Sequence, residues 1–260
     1  MTAPPPEATA DSVAADLLAA RRARRVPDTV TGMPASIAAG AQVQVATARM
    51  LGAARPAGFK IGATSTAMQA ALGVTHPIAG FMTAEALHGS GSTLAFADLL
   101  NPGVECELAV HLQADLPPGA GAQAREAVGE LFAGIEVVER RLAPSLAGNP
   151  HMLVADRMYH AAAILGSPFA GWRDLDLCSL AGSITVNGVV CGSGVGGSLL
   201  GDPMAALAWL ADSAEVAAFG GLRAGMVVML GSVTLPVWLD GPAEVRVSFP
   251  PLGDVVLSLV

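Results

Sequence analysis

Apolar residues recur at helical spacing from Asp11 to about residue 53, in "DSVAADLLAARRARR" and then, after a loop, in "SIAAGAQVQVATARMLGA". "ARPAGFKIGATS" switches to strand-like chemistry, and "STAMQAALG" predicts a short helix opened by Ser65 as N-cap. A stretch punctuated by Gly and Pro runs on to Asn101, followed by a strand over 102–112 and a loop, "PPGAGAQ". "AREAVGELFAG" has the pattern of a helix stopping at Gly134, "IEVVERRL" that of an apolar strand, and "LVADRMYHAAAILG" that of a helix. Asn187-Gly188 in "SITVNGVVCG" is a two-residue hairpin turn signal. One helix is then expected over "DPMAALAWLADSAEVAAFGG", with Asp202 as cap, Pro203 in the first turn and Gly220 as stop. The remainder, "MVVMLGSVTLPVWL" and "AEVRVSFPPLGDVVLSLV", is rich in strand formers. Strands outnumber helices after residue 55 and often follow one another, which favours a mixed or antiparallel β architecture over a regular βαβ array. Residues 1–55 are expected to form an N-terminal helical segment, its first ten or so residues disordered, and residues 56–260 a mixed-β catalytic domain.

The strand "PGVECELAVHL" carries two acids inside an apolar run. With a period of two, Val104, Cys106, Leu108, Val110 and Leu112 face one way, while Glu105, Glu107, Ala109 and His111 face the other. The two carboxylates then stand about 7 Å apart along the strand. Either they lie on the solvated face of an edge strand, or they repel each other in a low dielectric and need a cation. Glu136, between Ile135 and Val137, is a third acid in a segment too apolar for a casual surface glutamate. Three converging glutamates would make an all-oxygen site suited to Mg²⁺ or Mn²⁺.

Composition narrows the setting. The 260 residues are 52% hydrophobic with a mean hydropathy of +0.53, enough for a sizeable core, and only 14% are charged, which points to buried subunit contacts in a homo-oligomer. A net charge of −8 argues against nucleic acid or an anionic membrane as partner. The basic run Arg21–Arg25 suits the C-terminal end of a solvated helix. Cys106, Cys178 and Cys191 have neither metal nor redox spacing, and the start "MTAPPPEATADS" lacks a signal pattern, so a cytoplasmic location is expected.

Other candidates carry a plain structural alternative. "GSGVGG" (Gly192 to Gly197) satisfies G-x-G-x-x-G, with Glu215 at a ribose partner's distance, but it follows a hairpin arm and its helix starts late. Local backbone flexibility or close packing explains it better than a dinucleotide. Lys60 in "GFKIGATS" is either a snorkelling lysine or a pocket lysine for an anionic substrate. Asp156 suits a cap or turn, and on the helical pattern His160 shares its face, where a histidine is more often structural than catalytic.

The ordered set "GFKIGATSTAMQAALGV", "PGVECELAV", "GIEVVERR", "LVADRMYHAAAILG" and "GDPMAALAWLA" resembles the 2-keto-4-pentenoate hydratase family of the fumarylacetoacetate hydrolase superfamily, over nearly the whole chain. The resemblance implies an α+β fold, a mixed β-sheet roll of the fumarylacetoacetate hydrolase C-terminal type behind an N-terminal helical segment, with a divalent metal in a cleft. Glu105 and Glu107 match the family's E-x-E pair, Glu136 its third acidic ligand, Lys60 its substrate-facing lysine, and Asp156 the aspartate of its V-A-D motif. The implied activity is a metal-dependent hydro-lyase on a small 2-hydroxydienoic or 2-oxo-enoic acid. A 2-oxo-enedioate decarboxylase, an acylpyruvate C–C hydrolase and a catalytically idle partner subunit are the alternatives. Departures fall around proton transfer: Ile78 replaces an acid, Arg157, Met158, Tyr159 and His160 replace Asn-Ala-Ser-Ser, and Glu139 and Arg140 replace smaller residues. His160 is therefore a candidate acid/base.

Overall fold

The computed structural model describes residues 9–260; the disorder expected for the first residues falls largely outside that range. Helices α1 (Ala10–Arg22) and α2 (Ile37–Met50) come first, each with a side-chain N-cap: Thr9 accepts from Ser12 N and Ser36 from Ala39 N. They pack on α6 (Pro150–Ala155) around Val13, Leu17, Val43, Leu153 and Ile78. Helix α3 (Thr66–Leu72) opens at Ser65 as expected and ends on Gly73 at φ 67°. The short helices α4 (Ala124–Ala127) and α5 (Pro144–Ala147) lie in connections.

Thirteen strands form two sheets among the described residues. The first contains β1 (Gly58–Gly62), β2 (Ile78–Met82), β3 (Leu87–Gly89), β5 (Pro102–Leu112), β6 (Val128–Glu139), β7 (His160–Leu165) and β10 (Val227–Ser232), in the order β2-β1-β10-β5-β6-β7-β3. The short β11 (Val237–Trp238) adds to β5. The second runs β4-β13-β12-β8-β9, from β4 (Ser92–Leu94), β8 (Ala181–Val186), β9 (Val189–Val195), β12 (Ala243–Phe249) and β13 (Gly253–Leu259). Parallel pairs (β1 with β10, β3 with β7, β4 with β13) mix with antiparallel ones, as the run of adjacent strands implies. The main core joins the alternate residues Val104, Cys106, Leu108, Ile135 and Val137 of the first sheet to Ile184, Val245, Val247 and Val255 of the second. The opposite face of β5 is left for Glu105 and Glu107.

Three helical expectations fail locally. Only Ala124–Ala127 of "AREAVGELFAG" is helical, because Val128 to Gly134 pair instead with Leu112 to Glu107 of β5, and tertiary pairing outweighs helix propensity. The long helix after Asp202 divides into α7 (Pro203–Ala211) and α8 (Ala214–Ala218). Asp212 there turns its carboxylate onto Gly121 N at 2.9 Å, and Ser213 recaps by accepting from Val216 N. Helix α6 stops at Ala155, so His160 is the first residue of β7 and shares no helical face with Asp156.

The Asn187-Gly188 turn is present, both residues at positive φ (50° and 79°). The glycines of "GSGVGG" serve close approach: a Cβ on Gly194 would stand 1.9 Å from Val233 O, and one on Gly196 2.0 Å from Leu177 O. Gly194→Ala is expected to cost about 1–3 kcal/mol, because backbone rather than a flexible side chain must give way. A lowered urea midpoint at unchanged slope would show it.

Candidate metal centre and its pocket

Strand β5 lies between β10 and β6, so its acidic face is no open edge. The ladder sets Glu136 directly opposite Glu105 and Gly134 opposite Glu107, which leaves room beside Glu107. One carboxylate oxygen from each of Glu105, Glu107 and Glu136 lies within 4.8 Å of the others. Lys60, on β1 between core-facing Phe59 and Ile61, brings Nζ to 3.3 Å from Glu136 Oε1. Its side chain is 2% exposed, so it does not snorkel.

Compensation around the acids is incomplete. Glu136 Oε1 meets Lys60 and His160 Nδ1 (2.9 Å), and Glu107 Oε2 accepts from Gly231 N (3.1 Å). Glu107 Oε1 and Glu136 Oε2 are buried with no hydrogen-bond partner among the described residues. Burial and the Glu136 charge push the Glu105 carboxyl up to about 8. Burial also lifts Glu107 well above the carboxylate range, with Glu136 and Glu105 adding to it. Burial works the same way on Glu136, but the Lys60 charge and the His160 hydrogen bond outweigh it and hold it low. Three carboxylates, one ammonium and two orphaned oxygens fit a divalent cation with hard oxygen preference.

A group whose carboxyl sits higher folded than unfolded retains a proton that the unfolded chain gives up. Metal-free stability is therefore expected to fall as pH rises from about 4.5 to 8, the window of Glu105. Cation binding should release about one to two protons near pH 7. Calorimetric titration of Mg²⁺ in two buffers of different ionisation enthalpy measures that number; zero release would contradict the protonated site.

Glu105 and Lys60 line a pocket of about 280 Å³ with Met68, Leu72, Met158, Tyr159 and Trp238. Lys60 is the one cation of that lining, which also offers the hydroxyls of Thr64, Ser65, Ser232 and Thr234. A larger crevice of about 660 Å³ near Asp115 and Arg223 is a poorer candidate, since those two pair with each other at 3.6 Å and are more than half exposed.

His160 is fully buried behind Glu136 and does not line the pocket. Burial depresses its imidazole to about 4, so the ring is neutral and Nδ1–H donates to Glu136, with Nε2 unpartnered. Asp156 caps the end of α6 and also lies off the pocket. Arg141 Nε donates to Asp156 Oδ1 at 2.9 Å, Nη2 to Asp156 O at 2.7 Å, and Nη1 to Glu139 Oε2 (3.1 Å) and Tyr159 O (3.0 Å). Arg141 thus clamps both ends of a left-handed turn at Arg157, Met158 and Tyr159 (φ 61°, 49° and 65°). Three consecutive non-glycine residues there cost about 1–2 kcal/mol each, and the turn aims Met158 and Tyr159 into the pocket.

Ile78, in the acid's place, is a core residue of β2. Glu215 reaches the same segment from α8, accepting from Ala79 N at 3.0 Å. Arg141 and Gly231 escaped the sequence patterns, whereas Tyr159 stands out only as a departure from the family's Asn-Ala-Ser-Ser. In "VVERRL" the only hint for Arg141 is its i, i+2 spacing from Glu139.

The fumarylacetoacetate hydrolase C-terminal family model matches residues 53–260. A 2-keto-4-pentenoate hydratase of Burkholderia vietnamiensis is 35% identical over 234 residues, 85% of this chain and 88% of that protein. A 4-oxalocrotonate decarboxylase of Pseudomonas putida is 30% identical over 78% of this chain and 77% of its own. Among solved structures, 4-oxalocrotonate decarboxylase from Pseudomonas putida G7, complexed with magnesium and adipate, superposes with a TM-score of 0.86 at 26% identity, covering 96% of this chain and 97% of that one.

Proposed function

The chain belongs to the fumarylacetoacetate hydrolase C-terminal family, on its 2-keto-4-pentenoate hydratase branch, and from that membership we propose that it is a divalent-metal-dependent hydro-lyase adding water to a 2-hydroxydienoic or 2-oxo-enoic acid. The observation that carries the proposal is the under-compensated trio Glu105, Glu107 and Glu136, of which Glu105, with Lys60, lines a largely apolar pocket. Glu105, Glu107 and Glu136 would hold Mg²⁺ or Mn²⁺, which as a Lewis acid would polarise the 2-oxo group and make the distal alkene carbon electrophilic.

The chain's own groups do the remainder. Lys60 supplies the positive charge for the substrate carboxylate. Met68, Leu72 and Trp238 keep bulk water from the tail, and the hydroxyls of Thr64, Ser65, Tyr159, Ser232 and Thr234 can orient one water. His160 holds Glu136 through its Nδ1–H, and Asp156 holds Arg141 and with it the turn that presents Met158 and Tyr159. Both act through other residues. The single cation in the described lining favours a monocarboxylic substrate over the oxo-enedioate of a decarboxylase, whose second carboxylate would find no second cation there.

The low charge content and free cysteines support a cytoplasmic homo-oligomer. No helix among the described residues is long and apolar enough to cross a membrane. The test follows a panel of 2-hydroxydienoic and 2-oxo-enedioic acids by ultraviolet absorbance and product analysis, with Mg²⁺, Mn²⁺ or chelator. Chelator-sensitive hydration of the mono-acids is expected. Release of CO₂ from the enedioates with no hydration would replace the hydratase by the decarboxylase, and metal binding without any turnover would leave an idle subunit.

A further inference from the structure

A second site lies behind the left-handed turn. Arg157 is 5% exposed, yet its guanidinium forms no hydrogen bond or ion pair among the described residues. It lies over the Phe81 ring, 4.9 Å from its centre. Of the nearby carboxylates, Asp156 Oδ1 and Glu139 Oε2 bond Arg141, and Asp156 Oδ2, although buried without a hydrogen-bond partner, forms no ion pair with Arg157. A buried cation without a hydrogen-bonded counter-charge is costly: burial, with the charges of Arg21 and Arg141, depresses Arg157 well below the ordinary arginine range against the opposing pull of Asp156 and Glu139. Its nitrogens are not sealed off, however, as those of buried orphans such as His160 Nε2 are.

Arg157 lines a crevice of about 440 Å³ between the end of α1 and the segment after β2. Arg21 and Arg22 border the same crevice, and among the described residues Glu85 is the only acid in its lining, so positive charge there prevails by two. Arg21 is only loosely engaged, 3.7 Å from Glu139, and the solvated helix end expected for this run is thus partly drawn inward. Leu18, Leu51, Ala86 and Ala161 supply apolar walls. A guanidinium fork matches a planar oxyanion in two parallel hydrogen bonds. Small apolar walls around it suit a carboxylate attached to a short hydrocarbon better than a fully hydrated phosphate.

We infer that this crevice is a binding site, separate from the glutamate centre, for a small carboxylate with a short apolar body, held by Arg157 and attracted by Arg21 and Arg22. Arg157 and Met158 are neighbours on one turn, the first lining this crevice and the second the glutamate pocket, so the two sites stand back to back.

The test titrates pentanoate and, separately, inorganic phosphate into the Mg²⁺-supplemented protein, read by calorimetry and by the shift in melting temperature. Arg157→Asn removes the guanidinium while keeping a residue that tolerates positive φ. Arg22→Glu reverses charge at the exposed mouth without touching the core, and Glu107→Gln disables the other site. Pentanoate binding that persists in Glu107→Gln, weakens about 10-fold or more in Arg157→Asn and also weakens in Arg22→Glu is the expected result. Pentanoate binding that is unchanged in Arg157→Asn, or lost in Glu107→Gln, would overturn the inference, as would binding of phosphate alone. A protein that binds neither anion, whether or not Arg157→Asn changes the subunit count by light scattering, would overturn it too; a changed count would assign the counter-charge to a second copy of the chain.

Discussion

Glu107→Gln is expected to lower turnover by about 10³-fold or more while raising the melting temperature of the metal-free protein. The loss follows from the donor set. Glu107 supplies one of three carboxylates, and an amide oxygen holds a hard cation far less well than an ionised carboxylate. The gain follows from the same residue's surroundings. Glu107 is fully buried, one of its oxygens has no partner, and two further glutamates lie within 4.8 Å. Glutamine keeps the shape and the hydrogen bond from Gly231 N but removes the group whose ionisation the fold resists. About 1 kcal/mol regained corresponds to about 2–4 °C in a chain of this size. The two readouts are turnover at saturating Mg²⁺ and differential scanning calorimetry with chelator. Turnover within a few fold of wild type would remove Glu107 from the centre, whatever the melting temperature did.

Arg141→Met should destabilise the fold by about 3–5 kcal/mol, the range for stranding buried partners of an ion pair. Arg141 is 4% exposed and its bonds reach two carboxylates and two carbonyls. Methionine fills most of the volume, so the cost is electrostatic rather than a cavity: Asp156 and Glu139 are left buried without their cation. Lysine should recover only part, since one ammonium cannot fork to Asp156 and also reach the Tyr159 carbonyl. A melting temperature about 10 °C lower at neutral pH, with the deficit shrinking under acid conditions as the stranded carboxylates protonate, is the signature. Loss of pocket geometry should raise KM more than it lowers kcat at temperatures where the variant is folded, because Met158 and Tyr159 line the pocket and are none of the three glutamates of the centre.

What the sequence disclosed about the centre came from one physical regularity. A strand repeats every two residues, so acids at Glu105 and Glu107 within an apolar run had to share a face, and Glu136 and Lys60 were conspicuous as charges flanked by residues committed to a core. The same regularity failed where the backbone left its ordinary regions. Nothing in "DRMYH" announces three left-handed residues in a row, and a helical period carried through them puts His160 on the wrong element. The strand over Val128 to Gly134 was hidden for another reason: its partner, β5, lies about twenty residues back, and local propensity carries no record of pairing. Arg141 was illegible because its partners are set by how α6 and β6 meet, a matter of tertiary packing.

The register of β5 against β6 has one more consequence. Among the described residues the β5–β6 ladder is the longest, with Glu105 and Glu136 facing each other at the fourth of its eleven pairs and Glu107 at the sixth, the midpoint. Strand pairs ordinarily fray from their ends inward, since terminal bonds have the fewest neighbours. Here, once the acids ionise without a counter-ion, the mid-point is where repulsion concentrates. The metal-free ladder is therefore predisposed to breathe from its centre, so that the place built to capture a cation is also the seam along which the empty sheet would first come apart.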